Sequence, residues 1–174
     1  MTETIVLGGG CFWCIESVFT QVRGVHGVES GYSNGHTPHI DYERLCRGDT
    51  GYAEVVQLQF DPHTIGLEHI LEIFFAVHDP TSLNRQGEDR GTQYRSAIYC
   101  QNAEQLAHVQ AWVARVQPQW DKPIVTEVAL LDRYRAAEPY HQRFFEKNPT
   151  QGYCLAVAAP KVAKFRKTFR EWAR

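Results

Sequence analysis

The sequence predicts an α+β fold, on two observations. Short β-branched runs alternate with stretches of helical period, in the order β-α-β-(short α)-β-α-β-α-β-α-α. The first part of that order contains a β-α-β-β-α-β succession, the signature of a split, ferredoxin-like sheet. Together they give a two-layer sandwich, with a mixed sheet covered by helices. The 174 residues suit one core better than two, so residues 1–174 are read as one catalytic domain.

The elements follow in order. Residues 4–7 (Thr-Ile-Val-Leu) read as a buried central strand, broken by Gly8-Gly9-Gly10. From about Cys14 to Val22, Ile15, Val18, Phe19 and Val22 share one helical face. Val28 to Ser33 is a second strand, stopped by Ser33-Asn34-Gly35. Ala53 to Phe60 alternates as a strand and Asp61-Pro62 ends it. Leu67, Ile70, Leu71, Phe74 and Phe75 then give helical spacing. A polar, Gly-containing loop from Asp79 to Gln93 leads to a strand over Ser96–Cys100. Leu106, Val109, Val113 and Val116 mark another helix. Ile124 to Leu131 reads as a long last strand. Helices are expected over Pro139–Lys147 and Lys161–Trp172, the latter with Val162, Phe165 and Phe169 inward.

Composition narrows the function. Lys and Arg number 18 and Asp and Glu 20, a formal charge of −2, which argues against binding to nucleic acid or a membrane surface through net charge. The basic residues Lys161, Lys164, Arg166, Lys167 and Arg170 read as the solvated face of the last helix. No basic, apolar leader stands at the N-terminus and no apolar run is long enough to span a bilayer, so the expected location is the cytoplasm. The five cysteines (Cys11, Cys14, Cys46, Cys100 and Cys154) are an odd set for a secreted disulfide framework. They are buried apolar residues or reactive thiols.

Cys11 is the strongest candidate nucleophile. It follows three glycines at a strand-to-helix junction, where backbone N–H groups and the helix dipole favour thiolate. Phe12 and Trp13 follow it directly, and two consecutive aromatics at a helix start cannot both face the core. At least one is expected to line an accessible, apolar pocket. Cys11 and Cys14 also form C-x-x-C, which opens the reading of a glutaredoxin- or thioredoxin-like disulfide reductase. Against it stand the Phe-Trp insert, the greater length of the chain, and the lack of any Val-Pro pair for that fold's cis-proline wall. A zinc site has weaker support still, since there is no second C-x-x-C and no histidine pairs with this one at finger spacing. A redox-sensing or peptide-binding module is the non-enzyme alternative, and it predicts no turnover.

Glu54 is the second anomaly. Alternation puts it on one strand face with Val56, Leu58 and Phe60, while Val55, Gln57 and Gln59 face the other way. Either the strand is an edge and Glu54 escapes to water, or the carboxyl is desolvated and holds a proton near neutral pH. In the second case it is a general acid beside a nucleophile.

Taken in order, Gly10-Cys11-Phe12-Trp13-Cys14-Ile15-Glu16, Asp41-Tyr42-Glu43-Arg44-Leu45-Cys46, the Thr50–Val56 stretch, His78 to Gly87, Asp89 to Ser96, Glu138 to Gln142 and Asn148 to Cys154 resemble the A-class, S-epimer-specific peptide methionine sulfoxide reductases. The likeness spans nearly the whole chain. One departure is Tyr52, where that family usually has histidine. The resemblance implies Cys11 as catalytic cysteine, Phe12 and Trp13 as holders of the substrate methyl group, and Glu54 as proton donor to the sulfoxide oxygen. It implies Tyr42 and Tyr94 as phenols hydrogen-bonded near that oxygen and Asp89 as a supporting acid. It also implies a Cys11 sulfenic acid resolved by a disulfide. Cys14 and Cys154 are the candidate partners. The family's Gly-Tyr-Cys pattern favours Cys154, in a glycine-containing segment free to move. Cys46 and Cys100 read as structural. Oxidised proteins, peptides or free methionine sulfoxide are the implied substrates, with thioredoxin or a chemical dithiol as reductant, no bound cofactor or metal, and a monomer.

Overall fold

The computed structural model describes residues 2–174. Its main sheet has six strands: β1 (Glu3–Gly8), β2 (Val25–Ser33), β3 (Ala53–Phe60), β6 (Ala97–Cys100), β7 (Glu127–Leu130) and β8 (Arg135–Ala136), ordered β7-β6-β1-β3-β2-β8. A two-stranded hairpin, β4 (Arg85–Gln86) with β5 (Asp89–Arg90), sits in the long polar loop. The helices are α1 (Phe12–Phe19), α2 (Tyr42–Leu45), α3 (Leu67–Val77), α4 (Ala103–Val116), α5 (Phe144–Lys147) and α6 (Ala159–Thr168).

The central four strands run β6-β1-β3-β2 with every neighbour antiparallel. This is the ferredoxin-like weave expected from the β-α-β-β-α-β order, since α1 carries the chain from β1 over β3 to β2 and α3 carries it from β3 over β1 to β6. β7 adds a parallel strand at one edge and β8 an antiparallel one at the other, making the sheet mixed.

Helices cover one face. Ile5, Leu7, Val56, Leu58 and Phe60 of the sheet meet Ile15, Val18 and Phe19 of α1, Ile70 and Phe74 of α3, and Phe165 of α6, all fully buried. Each such side chain contributes about 1.5–3 kcal/mol through burial. Val6, Val55 and Tyr99 point to the opposite face, where Ala129, Leu131 and Tyr134 pack against them.

Strand β3 matches its expected limits, but other stretches differ from the sequence reading. The first helix runs Phe12–Phe19 rather than from about Cys14 to Val22, and β2 starts at Val25 rather than Val28. The last long strand is only Glu127–Leu130, because it pairs with β6, which begins at Ala97; Val125 instead donates to the Pro80 carbonyl. The helix expected over Pro139–Lys147 is split into a 3-10 turn (Pro139–His141) and the single turn α5. Arg143 interrupts it in the left-handed region (φ 57°), and the Gln142 side chain is drawn off to the Ser30 backbone. The C-terminal helix begins with a π-helical turn over Cys154–Ala158 and ends at Thr168, short of Trp172, which lies in a 3-10 turn. No helix among the described residues is long and apolar enough to cross a membrane.

Candidate active site

Antiparallel pairing decides what meets at the end of β1. Gly8 pairs with Ala97, so the segment before β6, which carries Tyr94, comes to that end. Leu7 pairs with Val56, so the start of β3, with Glu54, comes there too. Cys11 then caps α1 at the same edge of the sheet.

Two glycines bring these pieces together. A Cβ at Gly9 would lie 2.9 Å from both the Phe74 and the His78 rings. Gly10 has φ +90° and passes so close to Gln86 that a Cβ would stand 2.9 Å from that side chain. Gly9→Ala is therefore expected to lower stability by about 1–3 kcal/mol through overpacking, read as a lower urea midpoint.

Glu54 is 1% exposed on a strand inside the six-stranded sheet, so it has no edge to escape from. Its Oε1 accepts the Phe12 amide N–H at 3.0 Å, so the carboxyl sits directly against the first amide of α1. Burial raises its pKa to about 8, the Phe12 bond opposing this and nearby Asp89 and Cys14 adding to it. A carboxyl raised so far is mostly protonated at neutral pH.

Cys11 departs from the expected low-pKa thiolate. Burial, the contact with Cys14 and the nearby Glu54 push its thiol well up, and only the Trp13 amide pulls the other way. Desolvation by the packed site outweighs the helix N-terminus. The resting state thus holds two protons, one on the thiol and one on the acid. Cys14 is lowered, first by its hydrogen bond with Cys11 and further by Lys161 and Tyr153, against burial.

The aromatics divide in two. Phe12 is buried and packs on Tyr32 and His141, with centroids at 5.7 and 5.0 Å, so it forms the back of the site. Trp13 is half-buried. It stacks on Phe144 at 3.7 Å and 5°, and its indole N–H donates to His141 Nδ1 at 3.0 Å. Burial, with neighbouring Glu54 and Cys11 adding to it, raises both the Tyr42 and the Tyr94 phenols. Both stay neutral near Cys11 and Glu54. Tyr42 is held by its backbone N–H, which donates to Glu138 Oε2 at 3.0 Å, while Tyr32 donates to the other oxygen at 2.6 Å. Asp89 accepts from the Tyr153 phenol, which also contacts Cys14 Sγ at 3.7 Å.

Two further expectations about cysteines need correction. Cys154 is fully buried in the π-helical turn, its amide held by Gln151 Oε1 at 3.0 Å, so its thiol is not presented in an open segment. Cys46 is exposed at the end of α2 beside Tyr42, at the rim of the site rather than inside the structure. Cys100 is buried and apolar in its surroundings, its thiol pushed to about 11 by burial, as expected of a structural residue.

The sequence reading assigned no role to His141, Phe144, Tyr153 or Glu138. For Glu138, His141 and Tyr153 the signal was present in the Glu138-Pro139-Tyr140-His141-Gln142 and Gly152-Tyr153-Cys154 blocks; Phe144, the first residue of α5, lies outside both. Helical periodicity shows none of these roles, because they rest on contacts with distant segments.

The chain matches the family model for peptide methionine sulfoxide reductase over residues 3–173. It is 53% identical to the peptide methionine sulfoxide reductase MsrA of Trichodesmium erythraeum over 97% of both chains. It is 49% identical to that of Pseudarthrobacter chlorophenolicus over 98% of both. Among solved structures it is similar to reduced Mxr1 from Saccharomyces cerevisiae, with a TM-score of 0.81 and 34% identity over 88% of this chain and 89% of that one. The chain belongs to the peptide methionine sulfoxide reductase family.

Proposed function

We propose that this protein reduces the S epimer of methionine sulfoxide, free or in peptides, with Cys11 as nucleophile and Glu54 as proton donor. The observation that carries this is a buried, protonated carboxyl bonded to the amide next to a reactive cysteine, under an aromatic wall.

A sulfoxide sulfur accepts a nucleophile once its oxygen is protonated. Glu54 gives its proton to that oxygen, with the neutral phenols of Tyr42 and Tyr94 steadying the developing charge and Asp89 fixing Tyr153 against Cys14. Cys11 sulfur attacks the sulfoxide sulfur, and its thiol proton passes to Glu54, restoring the acid. The hydroxyl moves to Cys11, methionine leaves, and Cys11 remains as a sulfenic acid. The sulfoxide oxygen ends on Cys11 with the proton that Glu54 gave it. Phe12 and Trp13 bound the place for the methyl group.

A second thiol then condenses with the sulfenic acid and releases water. Cys154 is proposed for this step, from the Gly-Tyr-Cys pattern and from the π-helical turn, a rare geometry that recurs at functional sites. One observation favours a second reading: Cys14 already touches the Cys11 thiol and has its own pKa lowered by that contact. Thioredoxin is the proposed reductant of the resulting disulfide, by thiol–disulfide exchange. The yeast relative Mxr1 has been solved in complex with Trx2. A cytoplasmic monomer without a bound cofactor is proposed with it.

Cys154→Ser is expected to release about one methionine per enzyme in a single turnover and then to stop recycling with thioredoxin. Unchanged steady-state turnover would give the resolving role to Cys14. Disulfide mapping of the oxidised parent reads the same question, a Cys11–Cys154 bond for the first reading and a Cys11–Cys14 bond for the second. The enzyme assay itself is methionine formed from each sulfoxide epimer. Reduction of neither epimer would overturn the proposed function.

A further inference from the structure

Glu16 is a buried carboxyl that the reaction does not use. It stands on α1 one turn beyond Phe12 and Trp13 and is 1% exposed. Among the described residues no cation forms an ion pair with it at contact distance. A carboxyl taken out of water is costly, so its partners are informative. One is the Ser30 hydroxyl, which donates to Oε2 at 3.4 Å. The backbone N–H groups of Arg143 and Phe144 lie close enough to favour its charged form against burial, with the Arg143 side chain adding attraction, and Glu16 and Arg143 line one cleft.

Those two amides belong to an unusual piece of chain. Arg143 has φ 57°, a conformation that a residue with a side chain avoids. The left-handed residue turns the backbone just where Gln142 bonds to Ser30 on one side and Phe144 stacks on Trp13 at 3.7 Å on the other. Gln142 fixes the segment from the sheet. Glu16 faces the next two residues from α1, the same helix whose first turn carries Trp13, and its Ser30 partner is the residue that anchors Gln142.

We propose that Glu16 is a positioning residue for the substrate pocket, holding the 143–144 backbone so that Phe144 stays stacked on Trp13. The inference rests on the reading of Trp13 as the wall for the substrate methyl group. Glu16 touches no reacting atom and acts through Phe144.

The test uses the whole protein labelled with 5-fluorotryptophan, the Trp13 resonance being assigned by its loss in Trp13→Phe. In Glu16→Gln the Trp13 fluorine resonance is expected to shift towards its position in Phe144→Leu. The KM for a methionine sulfoxide peptide is expected to rise about tenfold with kcat changed by less than about threefold, as for a lost ground-state contact. The double variant Glu16→Gln/Phe144→Leu is expected to match Phe144→Leu alone. If Glu16→Gln does not fold, Glu16→Asp, which keeps the charge but shortens the reach, takes its place in each measurement. An unshifted Trp13 resonance in the folded variant, or full additivity in the double variant, would overturn the proposal. A Trp13→Ala variant with unchanged KM would instead sink the reading of Trp13 as pocket wall, while leaving the resonance shift to judge Glu16.

Discussion

Cys11→Ser is expected to form no methionine from methionine sulfoxide, with thioredoxin or with a chemical dithiol. A serine hydroxyl is a hard, weakly acidic oxygen. It cannot carry the transferred oxygen as a sulfenic acid does, nor end the cycle as a disulfide. The fold is expected to survive the change. Cys11 is the N-cap of α1 and makes no side-chain cap bond there, whereas serine is among the preferred N-cap residues. The denaturation midpoint therefore stays at or above that of the parent while activity is lost. Methionine release by this variant at the parental rate would remove Cys11 from the mechanism.

Glu54→Gln is the second large effect, expected to slow the chemical step by about 10²–10⁴-fold, the usual contribution of a general acid. Glutamine keeps the shape and still accepts the Phe12 amide, but holds no transferable proton. The pH dependence has a definite sign. The reactive form carries protons on both Cys11 and Glu54, so the parental rate falls as pH rises through about 8, where Glu54 ionises. In Glu54→Gln that limb disappears. Parental stability falls in the same direction, losing ground as pH rises. A carboxyl that titrates at 4.5 in the unfolded chain and at about 8 in the fold takes up a proton on folding at neutral pH. The cost is absent below the unfolded pKa, grows as pH rises above it, and is complete above the folded one. At pH 7 it is on the order of 3 kcal/mol. Glu54→Gln is thus expected to be more stable than the parent at pH 7 to 8, by thermal or urea denaturation, though almost inactive. A functional group held at the expense of stability behaves this way.

Much of this was legible in the sequence because it follows from local pattern. Alternation along Ala53–Phe60 put Glu54 on the buried face, and the strand has those bounds. Ile15, Val18 and Phe19 marked the inner face of α1. What failed depends on contacts between distant segments. The strand near Ile124–Leu131 is short because its partner β6 is short, which no reading of residues 124–131 alone could show. The break at Arg143 follows from Gln142 bonding to Ser30, 112 positions away. The Cys11 pKa went the wrong way for a related reason. The helix N-terminus is visible in the sequence, but the desolvation that outweighs it comes from the packed site. Cys154 looked mobile because Gly152 precedes it; in the fold it is buried between α1 and α6.

The most direct test is a rapid-quench single turnover of Cys14→Ser/Cys154→Ser across a range of pH, with the Cys11 peptide weighed at each time point. With no second thiol to condense, the account predicts one added oxygen on Cys11 for each methionine released, at a rate that falls as pH rises through about 8. Methionine released without oxygen on Cys11, or a rate that climbs steadily through that pH, would contradict it.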